Sequence, residues 1–170
     1  MSDNDDDTPQ LPQAVIDLAA QAAGSVAVGL LDDDVPAVEG TVERDGHSWK
    51  LQVSAYPAGT LVALSIAAEP VPAARRTAVG RLLQQVNWGL LVGAGELDDR
   101  DGTVRVRTSL CAFDAPVDEA LAAGLILPNL GTAKLVLAAV AAVAAGADPE
   151  AEAERVLDTI DAEGVDLRIG

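Results

Sequence analysis

The side chains that could do nucleophilic chemistry are few. Cys111 is the only cysteine and His47 the only histidine, so a Cys–His dyad needs a fold that brings those two together. A single cysteine excludes an intrachain disulfide and a thiolate metal cluster, and a single histidine excludes a multi-histidine site. Cys111 ends an expected strand, where a lone cysteine acts as a small hydrophobe, and His47 stands beside the turn residue Gly46. Carboxylates are plentiful, with 27 Asp+Glu, and they cluster in Asp32-Asp33-Asp34 and Asp98-Asp99-Arg100-Asp101. The second cluster has the richness of a calcium loop without its ordered oxygen spacing or its closing Glu. Asp in such loops also serves the local backbone. Gly93-Ala94-Gly95-Glu96 has two glycines of a phosphate loop, but no Lys-Ser or Lys-Thr follows. In a strand, such glycines mark a bulge or a close backbone approach. No catalytic residue, cofactor or metal is expected from these residues.

Three side chains are candidates for contact with a partner. Arg105 and Arg107 share one strand face; they can grip a carboxylate or phosphate, or pair with acids on the neighbouring strand. Trp88 lies off the apolar stripe of its helix, with Arg81, Gln84 and Gln85 at three- and four-residue spacing. A large aromatic in that place either completes the core, fills a crevice or anchors a partner. Trp49 alternates with Leu51 and Val53 and is expected in the core.

Charge and composition narrow the classes. The 170 residues carry 11 Lys+Arg, a formal net charge of −16, and four aromatics in all. That argues against a nucleic-acid binder working by phosphate neutralisation and base stacking. Nine arginines stand against two lysines, and 32 residues are alanine, a composition that fits a GC-rich or salt-adapted organism. The acidity then serves solubility, or steers a basic partner. The first residues are acidic and polar where a signal peptide is basic and then apolar. The longest apolar run, Leu135 to Ala147, spans only about 20 Å as a helix, too short for a bilayer. A cytoplasmic protein with no membrane contact is expected.

The elements that must position these residues follow from periodicity. Residues 1–7 read as a disordered acidic tail and 8–170 as one domain. Thr8-Pro9 opens a helix over 9–23. Strands are expected at 25–31, 38–43, 48–56 and 60–67, with turns at Asp32–Asp34, Asp45-Gly46 and Pro57-Ala58-Gly59. Within 48–56, Trp49, Leu51, Val53 and Ala55 alternate with polar residues, the period of a half-solvated antiparallel strand. Val79, Leu82, Leu83, Val86 and Leu90 form the strongest helical stripe. Residues 91–97 and 103–111 read as a hairpin. Helical segments follow at 117–127 and 132–145, with Pro128-Asn129 breaking or kinking between them. Asp148-Pro149 caps a last helix ending at Gly164, and 165–169 adds a short strand or frays. Adjacent strands with short turns predict an α+β fold with an antiparallel sheet flanked by helices. The Ala-rich helix is apolar all round, so it is either sandwiched or part of a dimer surface.

Arg81-Leu82-Leu83-Gln84-Gln85-Val86-Asn87-Trp88-Gly89-Leu90, then Gly95-Glu96-Leu97, then Asp101 to Leu110, together with Ala141 to Ala153, resemble the YbjN-like family. The resemblance covers residues 48–155. It implies a fold like the type III secretion chaperones, a twisted antiparallel sheet flanked by helices, usually a homodimer. It also implies protein binding in stress or sensory regulation, with no catalytic residues to carry over. The expected function is a non-enzymatic protein-binding module with an unknown protein partner and a second copy of itself. A small ligand-sensing domain with a pocket beside the sheet, or a structural subunit of a larger assembly, are the alternatives.

Overall fold

The structure is a computed structural model and describes residues 10–31, 34–113 and 115–163. The expected acidic tail, the Thr8-Pro9 cap, Asp32-Asp33, the Gly164 stop and the segment 165–169 lie outside those residues. Among the described residues the chain runs α1 (Gln13–Ala23), β1 (Val26–Leu31), β2 (Val35–Arg44), β3 (His47–Tyr56), β4 (Thr60–Ala67), α2 (Arg76–Gly89), β5 (Ala94–Leu97), β6 (Val104–Cys111), α3 (Glu119–Ala144) and α4 (Pro149–Glu163). The strands form one antiparallel sheet in the order β1-β2-β3-β4-β6-β5. The class is α+β, as the alternating strands and short turns predict.

Two-residue periodicity divides the sheet into two faces. Val38 and Val42 of β2, Trp49, Leu51, Val53 and Ala55 of β3, Ala63 of β4 and Val104 and Val106 of β6 fall on one face and are buried in the core with the helices. The other face carries Glu39 paired to Lys50 at 2.6 Å, and Glu96 between Arg105 and Arg107. The β2–β3 turn is Asp45-Gly46 with φ of 49° and 78°, the pair of left-handed residues that a two-residue hairpin demands. α2 buries Val79, Leu82, Leu83 and Val86, the predicted stripe.

α1 starts at Gln13 rather than at residue 9, because Pro12 stands extended ahead of it and the residue before a proline is steered out of the helical region; two further expectations need correction. Pro128 does not divide the last third: α3 is one helix of 26 residues with Pro128 inside it. Proline removes one backbone donor and leaves the carbonyl of residue 124 unpaired; Gly124 is exposed, so water can take that carbonyl. The next residue fastens the helix to the sheet. The buried Asn129 donates through Nδ2 to the carbonyls of Ala63 (3.1 Å) and Val106 (2.9 Å), and its Oδ1 accepts from Ser65 Oγ at 2.6 Å. Thr108 Oγ1 adds a bond to the Leu125 carbonyl at 2.8 Å. These ties across two central strands outweigh the local preference to stop. The second correction is at 91–97, where only Ala94–Leu97 is strand. Gly93, at φ 82°, turns the chain into the sheet, and a Cβ there would meet the Arg107 carbonyl oxygen at 2.9 Å.

α3 is long and apolar enough to cross a membrane by length and composition alone, yet 61% of its most apolar stretch is buried inside the protein. It is the central helix of the core, lying on β4 and β6 with α1, α2 and α4 around it. Arg75 caps its C-terminal end: Nε and Nη2 donate to the Val143 carbonyl at 2.9 and 2.6 Å, and Nη2 to that of Ala147 at 3.2 Å. A guanidinium at that end also opposes the partial negative charge of the helix terminus.

Candidate partner-binding surface

Trp88 is neither core nor crevice filler: it is 94% exposed. It sits in the last turn of α2, and the chain leaving that helix adds Leu91, fully exposed, and Val92, half exposed. Leu90, the last residue of the predicted stripe, is partly buried and leaves the helix in an extended conformation, which turns its two followers outward. Gly89 allows α4 to approach, since a Cβ at that position would meet Leu157 Cδ2 at 2.5 Å. α2 and α4 thereby leave between them a groove of about 650 Å³, floored by Trp88, Ala153 and Leu157. Its α4 wall carries Glu150, Glu154 and Asp158, and its α2 wall carries Arg81. The exposed tryptophan is therefore the apolar end of an acid-rimmed trough.

Arg105 and Arg107 lie on the sheet face opposite the one the helices cover, whereas Trp88 lies on α2. Both reach across to the β5 residue Glu96, Arg105 Nε donating to Oε2 and Arg107 Nε to Oε1, each at 2.7 Å. Burial pushes the Glu96 carboxyl up, but the bonds from Arg107 and Arg105 prevail and hold it below its ordinary value. The cross-strand acid is the first partner of this arginine pair. Behind it, Asn87 of α2 closes the sheet edge. Its Oδ1 accepts from Gly95 N at 2.8 Å and its Nδ2 donates to Gly95 O at 2.9 Å. One amide thus replaces the neighbouring strand that Gly95 lacks. Gly95 must be glycine for this fit, because a Cβ would meet Leu83 Cδ2 at 2.7 Å. Nothing in the local sequence around Asn87 signals the edge it serves.

The remaining chemical candidates are separated or occupied. Cys111 pairs with Thr60, which pairs with Tyr56. His47 begins β3 and Tyr56 ends it, so at about 3.3 Å per residue the thiol and the imidazole stand on the order of 30 Å apart. The Cys111 thiol donates to the Ala58 carbonyl at 3.4 Å. In the β5–β6 turn, Asp98 accepts from the Arg100 backbone N–H at 2.9 Å and from its guanidinium at 2.6 Å, and Asp101 accepts from Thr103 N at 2.8 Å. The Arg100 side-chain bond, then its backbone bond, hold the Asp98 carboxyl down at about 2. Among the described residues, no three His, Cys, Asp or Glu side chains converge on a point that could hold a metal ion. Arg76 ties this loop to the start of α2, donating to the carbonyls of Asp99 (2.6 Å) and Val71 (3.2 Å).

No family model matches the chain, and neither does any curated protein or solved structure.

Proposed function

We propose that this chain is a non-enzymatic protein-binding module of the cytoplasm, chaperone-like or regulatory in its action, which works as a homodimer. The observation that carries the reading is the exposed run Trp88, Leu91 and Val92 beside the acid-rimmed α2–α4 groove. Large side chains in water are costly unless something covers them, and aromatic anchors at the mouth of a groove are the usual seats of binding energy. The rim of Glu150, Glu154 and Asp158 suits a segment that brings apolar side chains flanked by Lys or Arg. The resemblance to the YbjN-like family points the same way, towards protein binding without catalysis. The separation of Cys111 from His47, and the closure of the Asp98–Asp101 turn on its own backbone, also favour binding over reaction.

Affinity capture from the native cell, at its own ionic strength, tests this reading. The full chain should retain a discrete partner, and Trp88→Ser should release it while changing folding stability by no more than about 0.5 kcal/mol, as for an exposed site. Arg105→Ala and Arg107→Ala serve as a second pair, reporting whether the sheet face contributes. Retention of no partner by the unaltered chain, together with a monomeric mass, would remove the proposal.

A further inference from the structure

The sheet ends in two edges, and among the described residues β1 is the unguarded one. Val26–Leu31 holds no charged residue and no proline, and Val28 and Leu30 are 58% and 59% exposed. Edge strands are normally blunted by Lys, Pro, a bulge or a covering segment. The hydrogen-bond phase of the ladder says which backbone groups stay open. Both backbone groups of Gly95 are taken by Asn87, so they point away from β6. Alternation through the paired residues Val106–Ser65, Leu64–Gln52, Val53–Val38 and Ala37–Gly29 then leaves the N–H and C=O of Val26, Val28 and Leu30 directed away from β2. The same residues present open backbone and, at Val28 and Leu30, exposed apolar side chains.

We propose that β1 pairs antiparallel with β1 of a second copy about a two-fold axis at Val28. In this register Val28 faces the partner's Val28 and Val26 faces the partner's Leu30, so all three outward residues find a bonded mate. Self-complementarity selects this occupant, since each outward apolar residue meets another, and charge selects the direction. A chain of net charge −16 repels its twin, and β1 is a strand along which no like charges would be set opposite each other. Asp34, which follows β1, falls at opposite ends of the joined strands in the two copies, on the order of 30 Å apart and beyond the Debye length of about 8 Å. Parallel pairing would set the two Asp34 residues side by side. This surface gives the self-association proposed above its location and rests on that reading. A single strand pair is a small interface, so the association is concentration-dependent.

Sedimentation of the full chain over rising concentration is the test. The unaltered chain should move from 17.3 kDa towards twice that mass. Val28→Lys and Val28→Pro, the latter deleting one outward N–H without touching the bonds to β2, should each weaken association at least tenfold with an unchanged melting curve. Association unaffected by both variants would overturn the β1 assignment and leave a homodimer formed elsewhere. A mass fixed at 17.3 kDa throughout would overturn self-association and β1 together, while Trp88-dependent capture would still sustain a binding module. Should a variant melt early, deuterium exchange on the unaltered chain decides. The Val26, Val28 and Leu30 amides should slow as concentration rises, and fast exchange at every concentration would overturn the pairing.

Discussion

The β5 edge is four residues long, and its central glycine has both backbone groups bonded to the Asn87 amide. Glu96, on the same strand, is held by two arginines. The β1 edge is six residues long, apolar, uncharged and exposed over most of its length. One fold therefore carries a closed edge and an open one. Closure here needs little material: a planar amide of the right reach substitutes for a strand, and a glycine admits it. The absence of any such device at β1 among the described residues is what makes that edge a candidate for pairing.

The same substitution made at both edges separates them most widely. Gly95→Val drives a side chain into Leu83 and displaces the Asn87 amide, so it should destabilise by about 3 kcal/mol in chemical denaturation, the upper end for overpacking. An unchanged midpoint would mean that the edge is not sealed as described. Asn87→Ala removes both edge bonds and should lose about 2 kcal/mol, with faster exchange of the Gly95 amide as its signature. The Glu96 bridge is a weaker seal and depends on pH. Its carboxyl lies below the ordinary value of 4.5, so its contribution is complete above that pH and is lost as the pH falls through and below it. Glu96→Gln should flatten that part of the stability profile, and an identical acid limb in both proteins would show that the bridge contributes nothing. Gly29→Val at the open edge has no heavy atom within 4 Å of the new Cβ and should be neutral, or stabilising by less than about 1 kcal/mol through higher strand propensity. A large loss there would reveal a contact on β1 that the open edge does not allow.

Local pattern accounts for much of this architecture. The alternation from Trp49 to Ala55 placed β3 and its buried face, the Asp45-Gly46 pair placed the hairpin turn, and the Val79–Val86 stripe placed the inner side of α2. Asp148 likewise accepts from Ala151 N at 3.0 Å at the head of α4, as an Asp-Pro start predicts. β2 starts three residues earlier than expected: Val35 and Pro36 pair with β1 alone, beyond the last β3 partner at Ala37, and the missing N–H of Pro36 faces that unpaired side. What stayed hidden is tertiary. Arg75 and Arg76 stand outside the α2 stripe, and no local pattern shows that they fasten a helix end and a loop that are distant in sequence. Asn129 reads only as part of the Pro128-Asn129 break and Asn87 carries no local signal, because the role of each depends on which strand arrives beside it. The candidate surface was half legible. Trp88 stood out by its place off the stripe, but its exposure depends on where α4 lies, which residue spacing does not show.

The Asn129 amide has a consequence for motion. α3 is a cylinder of small aliphatic groups that would glide over its neighbours with little to choose between one seat and the next. A slip of a single turn, about 5.4 Å, would carry the amide away from the Ala63 and Val106 carbonyls and strand three polar atoms in a dry interior. The helix therefore has one axial position, fixed as a detent fixes a sliding bolt.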